Sequence, residues 1–289
     1  MRILSVRHLC GGQSALTSAI RVESRRAGTR HWVILRRFVT DWYRQSKQEK
    51  ARTEHAALSA IKRADVPAPR PLWVDELGEA FGVPATIQTR LTGRAWWPDA
   101  IAPSGARQMG EALGEVHACR PPPNLPETRL RVAPFLAPAE APPSLLEAHP
   151  AGAKMWAALK SAGIEPLERD NVLLHGDYHA GNVLWRRGCL CGIVDWETAQ
   201  SGPPGRDVAY TRMDCTITGG REMAAAFTDG YGETSDDLWF WELLAATQAA
   251  FAYRDWAPAW RAYGLTNLSL RTVRRRLDAF INRALSAAA

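Results

Sequence analysis

The segment between residues 175 and 197 constrains this chain more than any other. It reads HGDYHAGNVLW over residues 175–185 and IVDWE over residues 193–197. The order is Asp177, four intervening residues, Asn182, a short apolar run and then Asp195, which is the layout of a phosphoryl-transfer site. Such a site needs an aspartate that orients the attacking hydroxyl, and oxygen ligands that hold Mg²⁺ against the phosphates. Asp177 fits the first role, and Asn182 and Asp195 fit the second.

The residues between Asn182 and Asp195 predict a β-hairpin. Two apolar runs, 183–185 and 190–194, flank the turn sequence Arg-Arg-Gly at 186–188. Two short strands joined by a glycine turn pair with each other, so the residues just outside the pair meet at one end of the ladder. We therefore expect Asn182 and Asp195 to lie close together, as two ligands of one metal must.

Other interpretations of this segment are weaker but remain open. Asp and Asn in a glycine-containing loop are common turn formers, and His175 could be a loop histidine with satisfied hydrogen bonds. His175 and His179 have the spacing of a zinc pair, yet the glutamate of a zinc-protease motif is absent between them. Cys189 and Cys191 are two apart and share one strand face, where such pairs are more often packed than metal-bound.

The two motifs resemble the catalytic and metal-binding motifs of the aminoglycoside phosphotransferase (APH) family, a phosphotransferase enzyme family. The resemblance extends over nearly the whole chain. It implies an α+β, two-lobed protein-kinase-like fold, with a small N-terminal antiparallel β lobe that carries one helix and a larger, mainly helical C-terminal lobe. We expect residues 1–90 to form the nucleotide-binding lobe and residues 91–289 the catalytic and substrate-binding lobe.

The resemblance assigns phosphate-binding roles in the first lobe. Residues 9–17, LCGGQSALT, resemble the family's first hairpin loop, in which Ser14 and backbone amides lie over nucleotide phosphates. The strand-like run 31–38 resembles the strand whose terminal cation holds the α- and β-phosphates. Arg36 is the match, with Arg37 as the second candidate, and an arginine can grip phosphate with two donors. The simpler alternative for residues 9–17 is an ordinary hairpin turn. The simpler alternative for Arg36 is a cationic strand end that faces water.

Further matches concern the helix and the hinge. Glu54 lies in the helical pattern 50–61 and matches the family glutamate that fixes the strand cation, although a surface glutamate paired with Lys50 is the plainer alternative. Gln88 and Arg90 fall where the family's chain passes between the lobes, so that backbone groups there would meet the purine. Asp207 matches an aspartate that begins a helix and supports the catalytic loop from behind.

Composition and charge narrow the class of protein. The chain has 289 residues, an odd five cysteines without CxxC spacing, and a net charge of +6. We expect reduced thiols, a cytoplasmic location and no membrane partner, because no apolar stretch approaches a membrane span. Residues 1–90 hold 16 Lys+Arg against 8 Asp+Glu, whereas residues 91–266 hold 15 against 21. A basic first lobe and an acidic second lobe suit a polyanionic donor and a cationic or neutral acceptor. The alternative is that these charges belong to solvated surfaces.

Nucleic-acid binding is the rival that the basic charge raises. The basic residues are dispersed in the first lobe rather than interleaved with aromatics, and the arginines at 271–276 spread over more than one helix face. We therefore expect no nucleic-acid partner.

Apolar periodicity predicts a mainly helical second lobe. We expect helices over 104–116, with Ser104 as N-cap, and over 152–159, 207–215, 221–231, 236–256 and 268–285, and an irregular loop over 120–143. Trp256 and Trp260 share a helix face and are more often core residues than walls of an acceptor pocket. Some acidic side chains could meet substrate amines but cannot be ranked: Asp214, Glu233, Asp236, Asp237 and Glu242.

Together these features predict an enzyme, a small-molecule kinase. It would use Mg²⁺ and move the γ-phosphoryl group of ATP or GTP to a hydroxyl of a small molecule, such as an aminoglycoside or macrolide antibiotic. The alternatives are a metabolic kinase similar to choline or homoserine kinases, and a non-catalytic kinase-like binding module. The sequence predicts neither the acceptor nor the oligomeric state.

Overall fold

The structure is a computed structural model that describes residues 2–9, 14–24, 28–41, 46–62, 64–100, 102–168 and 170–289. Its N-terminal part is an antiparallel sheet with one helix. In chain order the elements are β1 (Arg2–Leu9), β2 (Ala15–Glu23), β3 (Arg30–Phe38), α1 (Lys47–Ile61), β4 (Pro71–Asp75) and β5 (Ala85–Thr89). Within the described residues the strand order is β1-β2-β3-β5-β4. The predicted β lobe with a single helix is therefore observed.

Helix α1 forms where its sequence provides a cap and an apolar face. The side chain of Ser46 accepts a hydrogen bond from the backbone N–H of Glu49 at 3.1 Å, which satisfies a free donor of the first turn. Ala57, Leu58 and Ile61 are buried, as the helical pattern predicts. This face of α1 points into the molecule, and Glu54 on the same helix is carried inward with it.

The C-terminal part is mainly helical. Its elements are β6 (Arg94–Ala95), α2 (Trp97–Ala100), α3 (Pro103–His117), α4 (Thr128–Leu136), α5 (Pro143–Ala148), α6 (Gly152–Ala162), β7 (Val172–Leu174), β8 (Val183–Arg186), β9 (Cys189–Ile193), β10 (Gln200–Gly202), α7 (Gly205–Thr218), α8 (Arg221–Tyr231), α9 (Leu238–Ala262) and α10 (Leu270–Ala287). Within the described ranges, β6-β8-β9 form one small sheet, and β10 pairs with β7. Single 3₁₀ turns at Ala180–Asn182 and Trp196–Thr198 interrupt the segments around these strands.

The main hydrophobic core lies in this helical part and joins α3, α7, α8, α9 and α10. Trp260 is buried in this core and Trp256 packs against it. Both tryptophans therefore have the core role that the sequence analysis favours over a pocket wall. Among the described residues, no helix is both long and apolar enough to cross a bilayer.

Three sequence expectations about helices are wrong. Ser104 is not a cap, because α3 begins at Pro103, whose fixed φ suits the first helical position, and Ala102 precedes it. Helix α9 continues past Trp256 to Ala262 and contains Pro258, since the apolar face of this helix is packed on both sides of the proline. The stretch 120–143 is not wholly irregular, because α4 lies within it.

Candidate active site

The predicted hairpin is present and places its two end residues side by side. Strands β8 and β9 pair with Val183 opposite Ile193, and the N–H of Val194 donates to the carbonyl of Asn182 at 2.9 Å. The turn between the strands uses left-handed backbone at Arg187 and Gly188. Asn182 and Asp195 therefore flank the same end of the ladder, as expected.

Asp195 itself adopts a left-handed conformation with φ of 70° and ψ of 59°. Residues other than glycine pay a steric cost in this region, and such strain concentrates at functional sites. β9 ends at Ile193, and Asp195 directly precedes the 3₁₀ turn Trp196–Thr198.

The carboxylate of Asp177 is held by side chains from its own loop and from α7. Asn182 Nδ2 lies 3.2 Å from Asp177 Oδ2, and His179 Nε2 lies 3.6 Å from the same oxygen. The hydroxyl of Tyr210, on α7, also donates to this carboxylate. Burial alone would raise the pKa of Asp177, but His179 and Tyr210 hold it well below its usual range. Asp177 is therefore an oriented, ionised carboxylate.

His179 is oriented by its two ring nitrogens. The backbone N–H of Gly181 donates to His179 Nδ1 at 3.1 Å. Nε2 is the ring atom that faces Asp177. Asn182 Nδ2 donates in addition to the backbone carbonyl of Asp177 at 2.9 Å. The loop between Asp177 and Asn182 is thus closed on itself by short-range hydrogen bonds.

Asp207 supports the start of this loop from behind, as the family resemblance implies. Its fully buried carboxylate accepts the backbone N–H of His175 at 2.6 Å and of Gly176 at 3.0 Å. His117, at the end of α3, brings Nε2 to 3.5 Å from Asp207. The ring of His175 is fixed by backbone groups, since Nε2 lies 3.0 Å from the carbonyl of Val194. His175 is therefore a loop histidine with satisfied hydrogen bonds.

Five charged side chains form a buried ionic cluster between the sheet and the hairpin: Arg36, Lys50, Glu54, Asp195 and Glu197. Arg36, only 6% exposed, lies at its centre. Its guanidinium donates to Glu54, to Asp195 Oδ1 at 2.6 Å and to Glu197 Oε2 at 2.7 Å. Burial opposes the charge on Arg36, but Asp195 and the two glutamates raise its pKa.

Glu54 is not the surface residue of the plainer alternative. It is fully buried, and it accepts from Arg36 and from the hydroxyl of Thr86, on β5, at 2.6 Å. Lys50 is buried too, and its ammonium donates to the carbonyl of Thr40 at 2.9 Å and lies 3.7 Å from Glu197. Lys50 therefore pairs with the hairpin side of the cluster, not with Glu54.

Four side chains take part in the site without having been predicted to do so from the sequence: Lys50, His179, Glu197 and Tyr210. Glu197 lies two residues after Asp195. Its burial, and secondly the nearby charge of Asp195, raise the pKa of Glu197 to about 7. A buried carboxylate so close to a metal-ligand candidate is a signal that the motif IVDWE already contains. Nothing in the sequence marks Tyr210, because its contact with Asp177 depends on how α7 packs.

The remaining predicted nucleotide-binding residues differ in their surroundings. Ser14 precedes β2, is buried, and donates its hydroxyl to Glu197. Gln88, on the face of β5 that also carries Thr86, is 4% exposed, and its Oε1 has no described partner. Arg90 follows β5, and its guanidinium lies over the ring of Trp32, with Cζ 5.1 Å from the centroid. The glycines of the predicted phosphate loop, at 11 and 12, lie outside the described residues.

Arg36 and Arg37 face opposite sides of β3, because side chains alternate along a strand. Arg36 enters the ionic cluster, whereas Arg37 is half-buried and its Nε has no described partner. The structure therefore brings Arg36 and Glu54 together and leaves Arg37 apart.

Asn182 and Asp195 fit a magnesium ion on chemical grounds. The amide nitrogen of Asn182 is used by Asp177, which leaves Oδ1, and Arg36 occupies only Oδ1 of Asp195. Two protein oxygens are a small set, but Mg²⁺ keeps several waters and takes its other ligands from phosphates. Among the described residues, no group of three or more His, Cys, Asp or Glu is arranged so that it could hold a metal ion.

The sequence profile of the phosphotransferase enzyme family (APH) matches residues 6–244. The chain belongs to this family. The family is described as a phosphotransferase enzyme family, which agrees with the enzyme class that the sequence predicts. The two-lobed, kinase-like fold is confirmed as well.

Curated relatives agree at the level of kinase chemistry. The chain is 31% identical over 189 residues to a "Stress response kinase A" of Salmonella choleraesuis and to a "Serine/threonine protein kinase RdoA" of Salmonella typhimurium. Each match includes 60% of this chain and 55% of the relative. The chain thus spans about half the length of these family members.

Solved structures share the fold at low identity. One is a thermostable mutant of aminoglycoside phosphotransferase APH(4)-Ia in a ternary complex with ADP and hygromycin B, with a TM-score of 0.62 and 17% identity over 98% of this chain and 94% of that one. Another is the GDP and kanamycin complex of APH(2")-IIia, with a TM-score of 0.63 and 18% identity over 99% and 94%. These likenesses show that the APH fold extends over the whole chain.

Proposed function

We propose that this protein transfers the γ-phosphoryl group of ATP or GTP to a hydroxyl of a small molecule, with Mg²⁺ as cofactor. The observation that supports this most strongly is the position of Asp177, Asn182 and Asp195 at one end of the β8–β9 hairpin, opposite Arg36. Nucleotide and a small-molecule acceptor are present together in the two APH structures that share this fold.

Each site residue takes one role in this proposal. Asp177 orients the acceptor hydroxyl and takes its proton. Asn182 and Asp195 would hold Mg²⁺, and the ion would supply positive charge next to the phosphates. A bond forms between the acceptor oxygen and the γ-phosphorus as the bond to the bridging oxygen breaks, and the nucleoside diphosphate leaves. Arg36 has five N–H donors, of which the described carboxylates use three, so donors are left for phosphate oxygens.

The purine and phosphate contacts complete the proposal. Ser14 lies over the phosphates, backbone groups between Gln88 and Arg90 meet the purine, and Glu54 fixes Arg36. The boundary between the lobes falls between residues 90 and 91, just after β5 ends at Thr89.

The experiment that tests this function is calorimetry of ATP and GTP binding, with and without Mg²⁺. We expect binding that requires Mg²⁺ and is weakened in Asp195→Ala, because one metal ligand is removed. Asp65→Ala, which removes an exposed carboxylate of the same lobe as Arg36, is the matched control and should bind as wild type does. If neither nucleotide binds with Mg²⁺, the chain is a non-catalytic module and the proposal fails.

A protein acceptor is a second candidate, because one relative is named "Serine/threonine protein kinase RdoA". Phosphate transfer from labelled ATP to a generic protein such as casein, compared with transfer to small hydroxyl compounds, separates the two candidates.

A further inference from the structure

The carboxylates that surround the catalytic loop are already engaged by groups of the protein. Asp195 and Glu197 are bound by Arg36, and Asp177 is held by its three donors. Asp214, one turn after Tyr210 on α7, is buried and accepts the backbone N–H of Ala180 at 3.3 Å. These carboxylates are therefore poor partners for an ammonium group of a substrate.

One cation beside the catalytic loop is not engaged in this way. Arg206, in the first turn of α7, is half-buried, and its Cζ lies 5.7 Å from the centroid of the Tyr210 ring. Across the described ranges, its guanidinium makes neither a hydrogen bond nor an ion pair with any residue. Because Tyr210 donates to Asp177, a single aromatic side chain separates this guanidinium from the catalytic carboxylate.

A second guanidinium lies near Arg206. Arg131, on α4, forms an ion pair with Glu49 of α1 at 3.2 Å, which links the two lobes. Burial lowers the pKa of Arg131, and repulsion from Arg206 lowers it further, whereas Glu49 raises it. Arg131 and Arg206 therefore lie near each other, and of the two only Arg131 has a described carboxylate partner, Glu49.

We propose that Arg206 binds an anionic group of the phosphoryl acceptor, so that the substrate is a small hydroxyl compound that also carries a carboxylate or phosphate. A guanidinium recognises either group with two parallel N–H donors. The ring of Tyr210 fixes Arg206 at a set distance from Asp177, which places the anion and the reacting hydroxyl at opposite ends of one molecule. This inference rests on the proposed phosphotransferase function and deepens it, and it replaces the cationic or neutral acceptor that the lobe charges suggest.

The test uses pairs of hydroxyl compounds that differ in one anionic group: pantothenate with pantothenol, glycerate with glycerol, and glycerol 3-phosphate with glycerol. Choline serves as the cationic probe. With Mg²⁺–ATP in excess, we expect kcat/KM for at least one anionic probe to exceed that of its neutral partner by about ten-fold or more. The carboxylate and phosphate pairs show which of the two anions is preferred.

Variants assign the preference to a residue. Arg206→Gln should lower kcat/KM for the anionic probe by about ten- to a hundred-fold, the loss of one charge-assisted hydrogen bond, mostly through KM. It should change the neutral partner little, and Arg206→Lys should restore part of the effect. Arg186→Gln, at the exposed turn of the hairpin, removes the same charge far from Asp177 and should leave both probes unchanged.

Several results would overturn the anion subsite. One is preference for the neutral or cationic probe, or for casein, and another is an equal effect of Arg206→Gln on both members of a pair. Asp99, on α2, is the rival anchor for a cation, because α2 packs against the turn Ala180–Asn182. Selective loss of choline turnover in Asp99→Asn would therefore contradict the proposal.

Failure of the underlying function has a different signature. In that case, nucleotide does not bind with Mg²⁺, and no probe of any charge is phosphorylated. Normal Mg²⁺–nucleotide binding without turnover of any anionic probe counts against the anion subsite alone.

Discussion

The ionic cluster and the catalytic loop adjoin at one end of the β8–β9 hairpin but are stabilised in different ways. The cluster gathers charged side chains from β3, α1 and the segment after β9, separated by up to 161 positions in sequence. The catalytic loop is closed by hydrogen bonds between residues two to five positions apart, and Asp207 adds the longer-range support. The first arrangement exists only in the folded chain, whereas the second is encoded largely within one short segment.

This difference determines how each region responds to mutation. Removing one member of a buried ionic group leaves another charge unpaired, so the cost appears mainly as lost stability. In the catalytic loop, the backbone groups make their own hydrogen bonds and the ionised carboxylate is that of Asp177. Substitution of Asp177 should therefore lower activity more than stability. Variants on the two sides should therefore separate the two effects.

The largest expected effect is on turnover. Asp177→Asn keeps the shape of the side chain but removes the proton acceptor, so we expect kcat to fall by about 10²–10⁴. Nucleotide affinity, measured by calorimetry, should stay near the wild-type value because Asn182 and Asp195 remain. Unchanged turnover would contradict the role assigned to Asp177, and a large loss of thermal stability would place this loop in the same class as the cluster.

On the other side, Glu54→Gln should act mainly on stability. The substitution leaves Arg36 buried with one carboxylate fewer, and we expect the free energy of unfolding to fall by about 3 kcal/mol. Denaturant unfolding measures this change. Glu76→Gln breaks an exposed pair with Arg52 and should cost less than about 1 kcal/mol. Equal effects of the two variants would show that the cluster is no more stabilising than a surface ion pair.

The same contrast explains what could be predicted from sequence. The hairpin, the proximity of Asn182 and Asp195, and the buried face of α1 follow from local spacing, because period and turn chemistry act over a few residues. Arg36 and Glu54 were found only through the family resemblance, since no local pattern joins a strand residue to a helix residue 18 positions away.

The contacts that sequence reasoning missed depend on tertiary packing. Tyr210 reaches Asp177 because α7 packs behind the catalytic loop, and Lys50 points to Glu197 because α1 lies against the segment after β9. The misplaced end of α9 has the same origin, since packing on both sides of Pro258 offsets the hydrogen bond that a proline removes.

A smaller effect is expected from the glycine at the start of the catalytic loop. Gly176 has φ of 81°, and a Cβ there would lie 2.1 Å from the carbonyl oxygen of Thr198. We expect Gly176→Ala to destabilise the protein by about 2–3 kcal/mol, from the left-handed backbone and the displaced carbonyl together. Gly188→Ala is the matched control, because φ is 76° and nothing lies within 4 Å of the added carbon. It should cost only the backbone part, about 1 kcal/mol, and equal losses would mean that the Thr198 contact is unimportant.

The smallest effect concerns pH, and its sign differs between the two regions. Burial, with Asp195 beside it, raises the pKa of Glu197 from 4.5 to about 7. A carboxyl group whose pKa is raised by folding contributes stability that is fully present below about pH 4.5 and is lost as the pH rises through about 7. The free energy of unfolding of wild type should therefore fall between about pH 5 and 8 relative to Glu197→Gln, which cannot titrate.

Asp177 should behave in the opposite way. Its pKa is lowered from 3.8, so its contribution is present above that value and is lost only as the pH falls well below it. Asp177→Asn should therefore change the acid limb of the stability profile, and Glu197→Gln the neutral limb, when both are measured by denaturant unfolding against wild type. If both variants alter the stability profile in the same pH range, Asp177 and Glu197 do not titrate independently. The contrast between the ionic cluster and the catalytic loop then does not hold.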